Sequence, residues 1–299
     1  MKIIPQYITS TIKAALILIS IGCQLSVVAQ KKDPKFDIQA HRGGAGLMPE
    51  NSIPSAINSV KNGWTIEMDL YMTKDSVLVV THDPHILALY ASYPDGKKVT
   101  PEVEKSLLIK DMTYEELRKF EIGLRENPTY PKQQKVYAYI PKFADLIDSA
   151  EHYAKKHHLP KPTYNIQAGP AYTISDEFRK DFVKKIMDIV LKKKIDKRAG
   201  FQSFDMGMLE TMKRDYPKKI DIVMLAGVSG KNLEKALEKL TFKPDVYSPY
   251  FTIVTKEMVE KCHLLGIRII PWTINNKDDL DKVKALGVDG IITDYPNLL

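Results

Sequence analysis

Two hydrophobic periods alternate along this chain. Short runs rich in β-branched and aromatic residues recur between amphipathic stretches of helical period, the pattern of a parallel sheet with helical crossovers. The strand-like runs are Phe36 to His41, Thr65 to Leu70, Val77 to His82, Thr163 to Gln167, Ala199 to Ser203, Asp221 to Leu225, Asp245 to Ser248, Arg268 to Thr273 and Gly290 to Thr293. Only Tyr71 to Ser76 separates the second run from the third. That is too short for a crossover helix, so the two form one bent strand or a strand with a hairpin. Counted once, the pair leaves eight βα units, the number that closes a barrel. The helical stretches fit between them: Ser52 to Lys61, Phe143 to Lys156, Asp176 to Lys193, Met206 to Arg214, Leu233 to Leu240, Lys256 to Leu264 and Lys277 to Ala285. Gly266 and Gly287 follow two of these as stop signals. The expected class is α/β, a (βα)8 TIM barrel.

Pro84 to Pro141 breaks the repeat. Its length and its Pro and Gly content predict an insertion after the second barrel strand, with a helix near Thr113 to Lys119, of the kind that shapes a substrate mouth. Residues 1–29 read as an export signal. Lys2 and Lys13 precede the apolar run Ala14 to Ile21, no acidic residue occurs, and Val27-Val28-Ala29 places small residues before Gln30. A bilayer span needs about 20 uninterrupted apolar residues, and Gly22, Cys23 and Gln24 break this run earlier. The expectation is an exported barrel over 30–299, periplasmic or secreted, with no stable membrane span after cleavage. Lipid attachment at Cys23 is the lesser alternative, because Ser20 stands where a larger aliphatic residue is expected.

Composition narrows the class without changing it. A chain of 299 residues with 44% hydrophobic and 27% charged content is an ordinary globular one, and a single α/β barrel uses about 250 residues. The net charge of +7 falls by two if Lys2 and Lys13 leave with the signal. The basic runs Lys184-Lys185 and Lys192 to Lys194 read as solvated helix faces. No Arg-aromatic stripe, zinc-finger spacing or basic arm points to nucleic acid. Cys262 alone would remain after cleavage, which excludes an intramolecular disulfide.

The residues that can carry chemistry stand at strand ends, where a barrel builds its active site. His41 can exchange protons near neutral pH, Arg42 can grip a phosphate through two donors, and Gly43 and Gly44 allow the backbone to approach a ligand. Glu67 and Asp69 lie two apart on one strand and share a face. Two such carboxylates repel unless a cation joins them, either a divalent ion, with hard oxygen ligands favouring Ca2+ or Mg2+, or Arg42. His82 ends the third run beside Asp83. Together His41 and His82 could move both protons of a phosphodiester displacement, one deprotonating the nucleophile and one protonating the leaving alkoxide.

The runs His41-Arg42-Gly43, Pro49-Glu50-Asn51, Ile66-Glu67-Met68-Asp69, Thr73-Lys74-Asp75 and His82-Asp83 resemble the N-terminal signature of glycerophosphodiester phosphodiesterases. The likeness continues through Ile140-Pro141, Ser203-Phe204-Asp205, Pro271 to Asn275 and Gly287 to Pro296. The resemblance implies a (βα)8 barrel that hydrolyses a glycerophosphodiester to glycerol 3-phosphate and an alcohol. It makes His41 and His82 the acid/base pair, Glu67 and Asp69 metal ligands, and Arg42 a phosphate ligand. Glu50 and Asn51 would support the site or simply cap the first helix. Trp272 would wall the pocket against substrate or belong to the core.

One motif departs from the family. Where its members usually read Asn-Ile-Glu-x-Lys, this chain reads Asn165-Ile166-Gln167-Ala168-Gly169. Gln167 can offer a metal one carbonyl oxygen but no charge. Losing the lysine removes a charged hydrogen bond to phosphate, of order 1.5 to 3 kcal/mol. Three functions stay open: a phosphodiesterase using Gln167 as the third metal ligand, a barrel that binds phosphodiesters or other ligands without turnover, and a barrel with a vestigial site.

Overall fold

The computed structural model of the chain describes residues 36–169 and 175–298. The expected export signal at 1–29, with Cys23, lies outside the described residues, as does Pro170. Among the described residues no helix is long and apolar enough to cross a membrane.

Strand β1 (Asp37–Ala40) leads through helix α1 (Ile53–Asn62) to β2 (Thr65–Met72), which turns back into β3 (Leu78–Val80). An excursion with short helices α2 (Pro101–Glu104) and α3 (Tyr114–Leu117) follows, and α4 (Phe143–Lys156) returns to the barrel at β4 (Tyr164–Ala168). The regular alternation then runs α5 (Asp176–Lys192), β5 (Ala199–Ser203), α6 (Met206–Asp215), β6 (Asp221–Ala226), α7 (Leu233–Leu237), β7 (Val246–Pro249), α8 (Lys256–Leu264), β8 (Arg268–Ile269), α9 (Lys277–Leu286) and β9 (Gly290–Thr293).

Eight strands pair in parallel in the order β8-β7-β6-β5-β4-β2-β1-β9. The ring is joined between β8 and β9 by the amides of Asp289 and Ile292, which donate to Ile269 and Pro271 oxygens at 2.9 Å each. The second and third runs are a strand with a hairpin: β3 lies antiparallel on the end of β2, with Leu70 opposite Val80. The run expected at Arg268 to Thr273 pairs as a ladder only at Arg268 and Ile269. Pro271 has no amide to continue it, and Trp272 rejoins through an isolated bridge to Tyr250.

The alternation of strand side chains decides what the barrel encloses. Ile66, Met68 and Leu70 join the core between strands and helices, with Phe143, Phe182 and Phe201. The alternate residues Thr65, Glu67 and Asp69 therefore face the bore. On the β1–β5 side the bore is polar, with Gln39, Glu67, Asp69, Asn165 and Gln202 all buried. On the β6–β9 side it is apolar, filled by Val223, Val246, Ile270 and Ile292 against Trp272. The excursion carries a separate core of Ile86, Ile109, Leu117, Phe120 and neighbours, packed on Tyr71 and Val79 of the hairpin.

Phe201→Ala should cost about 3 to 5 kcal/mol, because a fully buried ring leaves a cavity that the closed sheet cannot collapse into. Leu264→Ser, at a side chain 87% exposed, should stay within about 0.5 kcal/mol. Urea unfolding of the two variants checks the contrast.

Candidate active site

The end of β1 sets the site. His41, Arg42 and Gly43 form a 3-10 turn in which Arg42 is left-handed (φ 53°, ψ 32°), an uncommon state for a residue with a Cβ. Two bonds hold it there. The Arg42 amide donates to Glu67 Oε2 at 2.7 Å, and the Asn51 amide donates to the Arg42 carbonyl at 2.8 Å. Gly43 and Gly44 serve the turn and its packing rather than the approach of a ligand. A Cβ on Gly43 would lie 2.3 Å from Ser55 Oγ of α1, and one on Gly44 would meet Pro296 at 3.3 Å.

Glu50 and Asn51 do not cap α1. Ser52 does, in a capping box with Ser55. The two residues before it are thereby free to turn into the barrel mouth. Glu50 accepts from Arg42 Nη1 at 3.1 and 3.3 Å, and Asn51 donates through Nδ2 to Asp69 Oδ2 at 2.9 Å while accepting the Asp69 amide at 3.2 Å. Arg42 Nε stands 3.8 Å from Asp69 Oδ2, and it is a buried donor with no hydrogen-bond partner.

His41 Nδ1 lies 2.6 Å from Asp294 Oδ1. Asp294 also accepts from Asn275 Nδ2 at 2.6 Å and from the hydroxyl of Tyr130. Burial works against its charge, and the bond and charge of His41 together with the bonds from Asn275 and Tyr130 outweigh it and hold the carboxyl below its ordinary range. An ionised carboxylate only accepts, so Nδ1 of His41 carries the proton and Nε2 is left for exchange. Burial lowers the affinity of this ring for a second proton, but the Asp294 bond and the charge of Glu67 together raise it above the usual histidine value. His82 repeats the arrangement, with Nδ1 3.2 Å from Asp83 Oδ2. There too burial opposes the charged ring, but the Asp83 bond and the charges of Asp69 and Asp83 together outweigh it, and the histidine is raised.

Glu67 is wholly buried. Burial first, and the nearby charge of Asp69 second, push its carboxyl up to about 7. That is the electrostatic position of a carboxylate awaiting a cation. Among the described residues no three His, Cys, Asp or Glu side chains gather around one point. The donors beside Glu67 and Asp69 are neutral: Gln167, which faces Asp69 across the β2–β4 ladder, and Gln202. Gln202 Nε2 lies 3.0 Å from Gln167 Oε1 and 3.3 Å from Glu67 Oε1. Gln167 thus stays on the cavity wall. Two carboxylates and an amide oxygen fit a hard divalent ion, with one charge fewer than three carboxylates would supply.

These groups share a cavity of about 180 Å³ lined by His41, Arg42, Glu67, His82, Gln167 and Gln202 on one wall, and by Phe204, Leu225, Trp272 and Ile292 on the other. Trp272 is fixed through Nε1 to the Ser248 carbonyl at 2.9 Å, with the rings of Phe204 and Tyr250 edge-on at 5.5 and 5.3 Å. All the residues proposed from sequence therefore meet in one place, with Glu50, Asn51 and Asp69 directly behind the wall. Sequence reasoning gave no role to Asp294, Asn275, Gln202 or Tyr130. The first two stand within matched motifs but 253 and 234 positions from His41; only barrel closure brings them together. Gln202 and Tyr130 carry no such signal.

Fold and site together define a TIM-barrel protein with its ionisable groups at the C-terminal strand ends. Residues 41–298 match the glycerophosphoryl diester phosphodiesterase family, to which this chain belongs. A glycerophosphodiester phosphodiesterase of Caldanaerobacter subterraneus subsp. tengcongensis is 27% identical over 263 residues, 87% of this chain and 94% of that one. A solved Silicibacter pomeroyi DSS-3 structure assigned to the same family superposes with a TM-score of 0.79 at 26% identity, covering 88% of this chain and 91% of the other. An Oleispira antarctica phosphodiesterase solved with the product sn-glycerol-3-phosphate shares the fold, with a TM-score of 0.68 at 20% identity over 87% and 93% of the two chains.

Asp294→Asn should lower the His41 pKa, since the amide cannot compensate burial as the carboxylate does; an NMR titration of the ring protons reads it directly. Glu67 makes a second prediction. Its folded pKa, about 7, lies above its ordinary 4.5, so the native state holds that proton more tightly than the unfolded chain. The stabilisation is complete below 4.5 and lost as pH rises through 7. In chelator the melting temperature should fall between pH 5 and pH 8, and Glu67→Gln should flatten that fall; an undiminished slope in the variant would assign it elsewhere.

Proposed function

We propose that this chain hydrolyses glycerophosphodiesters to sn-glycerol 3-phosphate and an alcohol, with His41 and His82 as the proton-transfer pair, after export to the periplasm or the cell exterior. The observation that carries the reading is a small cavity lined by Arg42 together with His41 and His82, each histidine held by a carboxylate. A guanidinium and two imidazoles around one cavity favour an anionic guest, and a hydrogen bond from a charged donor to a phosphate oxygen contributes about 1.5 to 3 kcal/mol.

Water attacks phosphorus and the bond to the leaving alkoxide breaks. One histidine takes the water proton at Nε2 in its neutral form, and the other gives a proton to the alkoxide oxygen from its charged form. The raised affinities of both rings suit this division, because each carboxylate partner stabilises the imidazolium that forms. Arg42 holds the phosphoryl group, Glu50 keeps the guanidinium in place, and Trp272 with Phe204 gives the ester an apolar wall. Glu67, Asp69 and the carbonyl of Gln167 would hold a divalent ion, Ca2+ or Mg2+, which supplies positive charge beside the phosphoryl oxygens. The small cavity suits a small-molecule phosphodiester.

A second reading, binding without turnover, is favoured by the missing charge at Gln167. Release of sn-glycerol 3-phosphate from a panel of glycerophosphodiesters, with Ca2+, Mg2+ or chelator, decides between the two. Metal-dependent turnover that falls about 100- to 10,000-fold in His41→Ala is the expected result. Silence in the parent with activity in Gln167→Glu would mean a disabled metal site, and silence in both would leave a binding protein.

A further inference from the structure

A chain of side-chain amides crosses the barrel bore beneath the cavity. Gln39 Nε2 donates to Asp37 Oδ2 at 2.8 Å. Asn165 Nδ2 donates both to Gln39 Oε1 at 2.6 Å and to Gln202 Oε1 at 2.7 Å. Gln202 Nε2 then donates to Gln167 Oε1 at 3.0 Å and faces Glu67 Oε1 at 3.3 Å. Gln39, Asn165 and Gln202 are 5%, 2% and 1% exposed, so water does not compete for these bonds.

The direction of every amide follows from the two ends. Asp37 as a carboxylate only accepts, and so does Glu67 in the ionised form that a bound cation imposes, so each then faces an NH2 group. Reversing Gln202 would set its oxygen against Glu67, and reversing Gln39 would set its oxygen against Asp37. With both facing outward, their carbonyls point inward at Asn165, which spends both N–H bonds on them. Its own Oδ1 is left buried without a partner, a cost of about 1 to 3 kcal/mol. That orphan is the consequence of satisfying both ends at once.

The consequence reaches Gln167. Gln202 engages its oxygen, so the amide cannot turn end for end without opposing two NH2 groups. Its Nε2 has no hydrogen-bond partner among the described residues, and the side chain lines the cavity with His41, Arg42 and His82. We propose that Gln202 is a positioning residue that fixes the Gln167 amide with its oxygen toward Glu67 and its NH2 toward the bound phosphate. Gln167 is thereby a substrate-binding donor as well as an oxygen ligand. The inference rests on the phosphodiester reading of the cavity.

The test is calorimetric titration of sn-glycerol 3-phosphate into the exported-length protein at saturating Ca2+ and about pH 8. The unchanged chain, Gln167→Met, Gln202→Met and the double variant are compared, with thermal melts to establish folding. Each single substitution should weaken binding about tenfold, and the double should be no weaker than Gln167→Met alone, because Gln202 acts through Gln167. Full additivity, or unchanged affinity in either single variant, overturns the proposal. If Gln202→Met does not fold, Gln167→Met decides alone: unchanged affinity overturns, and a tenfold loss supports the donor role. No binding by the unchanged chain would sink the phosphodiester reading itself, and this inference with it.

Discussion

Two carboxylates two residues apart on β2 both face the inside of a closed barrel. Withdrawing an ion from water costs several kcal/mol even after relaxation, and Glu67 and Asp69 add mutual repulsion to that cost. Much of the surrounding structure is organised by it. The β1 turn adopts a left-handed arginine so that its amide reaches Glu67. Asn51, in the segment before α1, grips Asp69 from both its amide and its carbonyl. Gln202 brings an NH2 group from β5. None of these partners carries a full charge to Glu67, which is why its proton is held so high and why a divalent ion would be welcome there.

The excursion after β3 belongs to this arrangement as well as to the mouth. Tyr90 reaches Glu50, the partner of Arg42, and Tyr130 reaches Asp294, the partner of His41. The segment around Tyr130 is anchored to the β1 loop by Gln133 Nε2 on the Ala45 carbonyl at 2.7 Å and by the Gln134 amide on the Leu47 carbonyl at 2.9 Å. An element with a core of its own thus brings hydroxyls to both carboxylates that hold Arg42 and His41. Its packing bears on the geometry of the site even though it contributes no residue to the cavity wall.

The barrel was legible because its strands and helices have distinct periods and short connections. The grouping of ionisable residues at strand ends in a local motif was legible too: His41, Arg42, Glu67, Asp69 and His82 lie within 42 positions. The partners that tune them were not. Asp294 and Asn275 come from the last two strand ends, and their meeting with His41 exists only once β9 pairs with β1. Gln202 is a neutral residue on a buried strand, where periodicity marks a position as inward-facing but not as functional. For Glu50 and Asn51, capping and site support had equal claims until the capping box at Ser52 and Ser55 released them. The short ladder of β8 shows the same limit, since Pro271 interrupts pairing inside a run whose side chains still alternate.

Arg42 shows what the barrel gives up to keep such a site ready. A left-handed backbone costs a non-glycine residue about 1 to 2 kcal/mol, and a buried guanidinium donor without a partner adds a penalty of similar or larger size. Both are tolerated because the outer core is continuous from β2 to β9 and the turn is held at three points, through Glu67, Asn51 and Glu50. A surface arginine would have neither cost, but it would also have to be ordered and stripped of water at each binding event. Here that ordering is done by folding, so the field that an anion meets is already in place. The same logic explains why the neutral amides lie on the opposite side of the carboxylates. They hold the oxygen of Gln167 by hydrogen bonding and add no further charge beside Glu67 and Asp69.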